Sequence, residues 1–133
     1  NDSIIIRTSW VYSSFGNNFV KTMLRLGKER DELNVVVDQV GSPTYARDLA
    51  RAILQIIPQL KNESVEVYHF TNEGVCSCYD FSKAIFEIAG VDCRVNAIVG
   101  SEYPAPAKRP FYSVLNKKKI TEEYNVDSID WRV

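Results

Sequence analysis

Tyr79 and Lys83 stand one helical turn apart, in the Tyr-x-x-x-Lys spacing. In that spacing a lysine ammonium can lower a phenol's pKa and let it hand a proton to a carbonyl. Any helix places residues i and i+4 side by side, however. The six glycines, at 16, 27, 41, 74, 90 and 100, cannot build the Gly-x-Gly-x-x-Gly loop that would hold a dinucleotide beside the pair. The pair is therefore read as a coincidence of spacing. Cys76, Cys78, Cys93 and His69 carry the right donor atoms for zinc. Cys-x-Cys with the third thiol beyond a whole helix is not ligand spacing, and no metal site is read from it. His69, the single histidine, sits at a strand end and is read as structural, so no Ser-His-Asp or Cys-His arrangement can be argued. Lys108-Arg109 is more informative: a proline-flanked guanidinium on a long loop can grip a diphosphate bidentately. A plain surface arginine fits the same residues equally well.

The elements that must position these groups centre on Asp38-Gln39-Val40-Gly41-Ser42-Pro43-Thr44. Val35, Val36 and Val37 form a short β-branched run, which Gly41 and Pro43 break. Thr44 is expected to cap a helix whose inward positions are Leu49, Ala50, Ile53, Leu54 and Ile57, ending at Pro58. A strand that empties through a polar loop into a helix N-terminus suits a phosphate-bearing ligand. Upstream, Ser3 to Thr8 holds the run Ile4-Ile5-Ile6, which predicts a strand buried on both faces of a parallel sheet. In open α/β sheets ligands sit beyond the carboxyl ends of strands, which makes Thr8, Ser9 and Trp10 site candidates. Packing alone would equally explain Trp10 and Tyr12.

Asn17 or Asn18 is expected to cap a helix with Phe19, Val20, Met23, Leu24 and Leu26 inward, ending in the solvated cluster Lys28–Glu32. Val65 to Phe70 alternates as a strand, with Val65, Val67 and His69 on one face. Ser77-Cys78-Tyr79-Asp80 is a capping box opening a helix with Phe81, Ala84, Ile85, Ile88 and Ala89 inward, and Gly90 terminates it. Arg94 to Val99 is a further strand. Gly100 to Pro110 is a long proline-rich loop, Asn116 caps a last helix through Tyr124, and Lys117-Lys118-Lys119 is read as a solvated helix face.

A length of 133 residues suits one domain with a real core. A net charge of −1 argues against a general nucleic-acid binder. No apolar run reaches membrane-spanning length, and three cysteines suit reduced, cytoplasmic thiols rather than a disulfide framework. The chain opens Asn1-Asp2 without an initiator Met and supplies few neighbours for its first strand. It is read as a single C-terminal fragment, residues 1–133, of something longer. Its first strand then carries an unpaired edge that predicts a homo-oligomer.

Taken together, Arg7-Thr8-Ser9-Trp10-Val11-Tyr12, Gly16-Asn17-Asn18-Phe19-Val20, Asp38–Thr44, and Arg109-Pro110 with Ser113-Val114-Leu115-Asn116 resemble the C-terminal half of the dTDP-4-dehydrorhamnose reductases, extended short-chain dehydrogenases/reductases. The resemblance implies an α/β fold: the late parallel strands of a Rossmann-type sheet plus a small α/β substrate-binding lobe. It implies reduction of a 4-keto sugar on a dTDP carrier by NADPH or NADH, with Mg2+ as an optional ion. The catalytic Thr/Ser, Tyr and Lys and the glycine-rich cofactor loop would all precede Asn1, so the fragment alone is expected to be inactive. By the same carry-over, Thr8 and Ser9 line the cofactor, and Trp10, Asn18, Gln39, Pro43, Thr44 and Arg109 hold the nucleotide sugar. Cys78 stands where the family often has Trp, and Asn116 where it often has Asp. The alternatives are a non-catalytic reductase-like binding subunit, or a nucleotide-sugar epimerase or dehydratase of the same superfamily.

Overall fold

The computed structural model describes residues 3–133; Asn1 and Asp2 lie outside the described residues. In chain order the elements are β1 (Ile4–Arg7), β2 (Val11–Tyr12), α1 (Phe19–Glu29), β3 (Glu32–Val36), β4 (Val40–Gly41), β5 (Thr44–Tyr45), α2 (Ala46–Ile56), β6 (Glu66–His69), β7 (Cys76–Ser77), α3 (Cys78–Ala89), β8 (Arg94–Ile98) and α4 (Lys118–Tyr124). The strands pair as ladders: β1 with β6, β2 with β5 and β3 with β8 in parallel, β4 with β7 antiparallel. Parallel partners need crossovers, and the helices supply them. The expected α/β fold with parallel strands is what forms.

Two cores result. Met23, Leu33, Val35, Cys76, Phe81, Ile85 and Phe86 fill the space among α1, α3 and the β3–β8 ladder. Ala52, Ile56, Tyr68, Phe70, Ile120, Tyr124 and Val126 fill the space among α2, α4 and the β1–β6 ladder, with Ile4, Ile6 and Leu49 packed on them. Asn18 caps α1, its Oδ1 accepting from Lys21 N at 3.1 Å. The Ser77/Asp80 capping box opens α3 as expected. Asn116 does not take the N-cap of α4 as expected: Lys117 holds that position with no side-chain cap, and Asn116 Oδ1 accepts from Lys118 N at 2.9 Å one residue earlier in the chain.

Several expectations are corrected. Thr44 caps nothing: it lies in β5, and α2 begins after Tyr45 with no side-chain cap. Helix α2 carries two apolar stripes, and the smaller one, Ala52 with Ile56, takes the core side; Leu54 is left 69% exposed. On β6 the core residue is Tyr68 rather than Val67, since Glu123 accepts a hydrogen bond from its hydroxyl and lets the ring go inside. Strand β3 starts at Glu32, inside the cluster read as a solvated helix end. Ile88, on the outer side of α3, is exposed. Strand β1 is buried on one face only: Ile4 and Ile6 turn to the core and Ile5 is half exposed.

Among the described residues β1 has one partner strand and thus a free edge beside exposed Ile5. Unpaired N–H and C=O groups next to apolar surface recruit another chain. In sedimentation at tens of micromolar the chain is expected to run as a dimer or larger; a clean monomer would count against that. No helix among the described residues is long and apolar enough to cross a membrane.

Candidate functional site

The carboxyl end of β1 and the amino end of β2 meet the Gly41–Thr44 turn. Thr8 Oγ1 donates to Thr44 Oγ1 at 3.1 Å, Ser9 Oγ donates to the Ser42 carbonyl at 2.8 Å, and Thr44 N donates to the Trp10 carbonyl at 3.0 Å. Ser42 in turn donates to the Gly74 carbonyl at 2.6 Å. Trp10 holds φ +48°, which a bulky residue seldom adopts. Its ring lies against Gly41, where a Cβ would come within 3.0 Å of Trp10 Cζ2 and of Ser113 Oγ. Any side chain there would push the Trp10 ring or Ser113 aside by a few tenths of an ångström.

Behind this turn sits a residue the sequence reading missed. Asn72, only 1% exposed, accepts from Tyr45 N at 2.7 Å through Oδ1 and donates to Asp48 Oδ2 at 2.8 Å and to the Ile129 carbonyl at 3.2 Å. Its own N–H donates to the Pro43 carbonyl at 3.2 Å. Lys117 was expected in solvent; its ammonium instead donates to the carbonyls of Thr71 and Asn72 at 3.2 and 3.1 Å and pairs with Glu73 at 2.7 Å. Four acceptors in one corner draw it in, Ser128 Oγ being the fourth. The Lys117 hydrogen bond holds the Glu73 carboxyl below its ordinary value, against a smaller upward push from burial.

The rim is the Gly100–Phe111 loop. Gly100 N donates to Asp38 Oδ1 at 2.8 Å, Val40 N to the Phe111 carbonyl at 2.8 Å, and Ser113 N to the Val40 carbonyl at 2.9 Å. Both ends of the loop are thereby tied to the Asp38–Val40 stretch, and residues 101–110 between them are exposed. Arg109 lies on this loop near the head of α3. Burial pushes the Cys78 thiol up, and the Arg109 guanidinium pulls it partly back.

The structure thus brings Thr8, Ser9, Trp10, Pro43 and Thr44 into one cluster, with Gln39 at the rim beside Gly100. Pro43 and Thr44 are fully buried and shape the floor, with no side-chain surface for a ligand. Asn18 is engaged by the chain, Nδ2 donating to the Ser13 carbonyl at 2.7 Å and Oδ1 capping α1; it lies next to Phe19, which stacks on Phe81. Thr8 and Ser9 each spend their hydroxyl proton on the Gly41–Thr44 turn.

Lys83 Nζ lies 5.5 Å over the face of the Tyr79 ring, a cation–π contact. Among the described residues no group of three or more His, Cys, Asp or Glu converges on a point that could hold Mg2+ or another metal. Cys76, Cys78 and Cys93 are all free thiols, and burial chiefly pushes Cys76 up to about 12.

An α/β domain with parallel strands and a polar turn packed beside Trp10 at the end of β1 is the class that fold and site define. The chain belongs to the RmlD substrate binding domain family, whose model matches residues 1–133. It is 47% identical, across 98% of its length and 47% of the relative's, to a dTDP-4-dehydrorhamnose reductase of Aggregatibacter actinomycetemcomitans. The crystal structure of dTDP-4-dehydrorhamnose reductase from Bacillus anthracis in complex with NADP superposes with a TM-score of 0.91 at 42% identity, covering 97% of this chain and 45% of that one. The Clostridium acetobutylicum reductase gives a TM-score of 0.88 at 46% identity, with 97% and 45% covered. The chain spans about half the length of the curated relatives it matches.

Proposed function

We propose that this chain is the nucleotide-sugar-binding, C-terminal portion of a dTDP-4-dehydrorhamnose reductase, a cytoplasmic enzyme reducing dTDP-4-dehydro-L-rhamnose to dTDP-L-rhamnose. The observation that carries the reading is the loop bearing Arg109, tied at both ends to the Asp38–Val40 stretch beside Trp10. A guanidinium on that loop suits a diphosphate, the part-exposed edge of the Trp10 indole offers apolar surface to a sugar ring, and Gln39 stands at the rim, while Asn18 serves the site by capping α1. NADPH or NADH supplies the hydride in the whole reaction. The part of these residues is to bind and orient the sugar so that remote binding energy fixes the keto carbon. Three free thiols support a reducing compartment.

The test is calorimetric titration of this chain with dTDP, with UDP as control. Preference for dTDP supports base recognition by these residues; equal binding moves the reading to the wider nucleotide-sugar epimerases and dehydratases. No binding of either overturns the idea that this portion binds by itself. Arg109→Ala is expected to weaken dTDP by about 1.5–3 kcal/mol, roughly ten- to a hundredfold. The chain alone is expected to consume no NADPH with the 4-keto sugar, since it has no glycine fingerprint.

A further inference from the structure

The chain contains two tryptophans, Trp10 and Trp131, and one ring lies between them. Phe81 stacks on Trp10 with centroids 6.3 Å apart and planes at 15°, and it meets Trp131 edge-on at 5.5 Å and 83°. Tyr12 and Phe19 flank Phe81 at 5.6 Å each. Trp131 therefore closes one side of the aromatic group on which the Trp10 indole rests.

The C-terminal segment is fastened in place. Glu73 N donates to the Ile129 carbonyl at 2.9 Å and Trp131 N to the Glu73 carbonyl at 3.0 Å. At Gly74, with φ +95°, the indole passes so close that a Cβ would lie 2.8 Å from Trp131 Cδ1. Glycine is required there twice over, for its backbone angle and for the space. Trp10 is the opposite case, a bulky residue in the left-handed region, a conformation that persists only where the surroundings over-determine it. Its carbonyl is held by Thr44 N, its ring by Gly41 on one side and Phe81 on another.

We propose that Trp131 is a positioning residue: acting through Phe81, it fixes the Trp10 indole in the pose the nucleotide-sugar site requires. The proposal rests on the reading of Trp10 as part of that site. Removing Trp131 leaves Phe81 unsupported on one side, and the backing of Trp10 loosens with it, because close-packed rings transmit such a gap to their neighbours.

Trp131→Phe makes Trp10 the sole tryptophan and keeps a ring edge against Phe81; Trp131→Ala removes the edge. Acrylamide quenching of the whole chain is expected to roughly double its Stern–Volmer constant from W131F to W131A, with a lower anisotropy. A control, W131F with Ile120→Val, loosens the other core and is expected to leave Trp10 as in W131F. Equal quenching in W131A and W131F overturns the proposal, and so does an equal shift in the control. Should W131A lose its far-ultraviolet dichroism, Trp131→Leu takes its place with the same two readings. Adding dTDP to W131F tests the site itself: no change in Trp10 emission counts against that reading, while the quenching comparison still decides the role of Trp131.

Discussion

Asn72→Ala is expected to lower the stability of the chain by about 3 kcal/mol, because each buried polar group left unpaired costs about 1–3 kcal/mol. Asn72 satisfies Tyr45 N, Asp48 and the Ile129 carbonyl at once. A urea titration should show a lower midpoint with an unchanged slope, the mark of a stability change alone. Asn72→Asp is expected to be worse still. It keeps an acceptor for Tyr45 N, but it sets a second carboxylate 2.8 Å from where Asp48 now accepts a hydrogen bond. If Asn72→Ala melts with the parent, the turn under the site is not held from behind as described.

Lys117→Met is the second large effect, about 2–3 kcal/mol, because it takes the ammonium from the buried Thr71 carbonyl and from Glu73 while the Asn72 carbonyl keeps only Thr71 Oγ1. Methionine keeps the apolar stem and removes only the ammonium, so packing is held nearly constant. Lys117 donates to the backbone carbonyl of Asn72, which Asn72→Ala keeps, so the two variants remove different hydrogen bonds and a double-mutant cycle reads their coupling as neighbours. The pair also has a pH signature. The Glu73 carboxyl is held below its unfolded value, so its contribution is full above that value and is lost as pH falls through the lowered folded one. In Lys117→Met that part of the acid transition should disappear. An acid profile parallel to the parent's would contradict the role given to the ion pair.

What the sequence made legible was whatever local physics decides. The Ser77/Asp80 capping box, the Asn18 cap and the parallel strands at Ile4–Arg7 and Arg94–Ile98 all follow from neighbours within a few residues or from apolar runs. The meeting of Thr8, Ser9 and Trp10 with the Gly41–Thr44 turn follows from their place after a strand. Where competition across the fold decides, the reading failed. Helix α2 offers two apolar stripes, and only the packing of Ile4, Ile6 and Tyr68 selects Ala52 and Ile56. Thr44 looks like a cap until β2 claims it as a ladder partner. Asn72 gave no local signal because its partners come from Tyr45, Asp48 and Ile129, and Lys117 reads as a solvent residue because its partners Thr71, Asn72, Glu73 and Ser128 are brought in by the fold. The burial of Pro43 and Thr44 was not legible either, since it depends on strands and loops brought in from elsewhere in the chain.

None of the four ladders joins strands that are adjacent along the chain: Ile4 must find Glu66, and Glu32 must find Arg94. Such high contact order requires loop closure before any ladder bond offsets it, which makes folding slow relative to helical proteins. During synthesis the nascent β1 leaves the ribosome roughly 3–12 s ahead of its partner at typical elongation rates. For that interval the Ile4-Ile5-Ile6 triplet lacks its β6 partner, and a chaperone that shields short aliphatic segments has a natural client here.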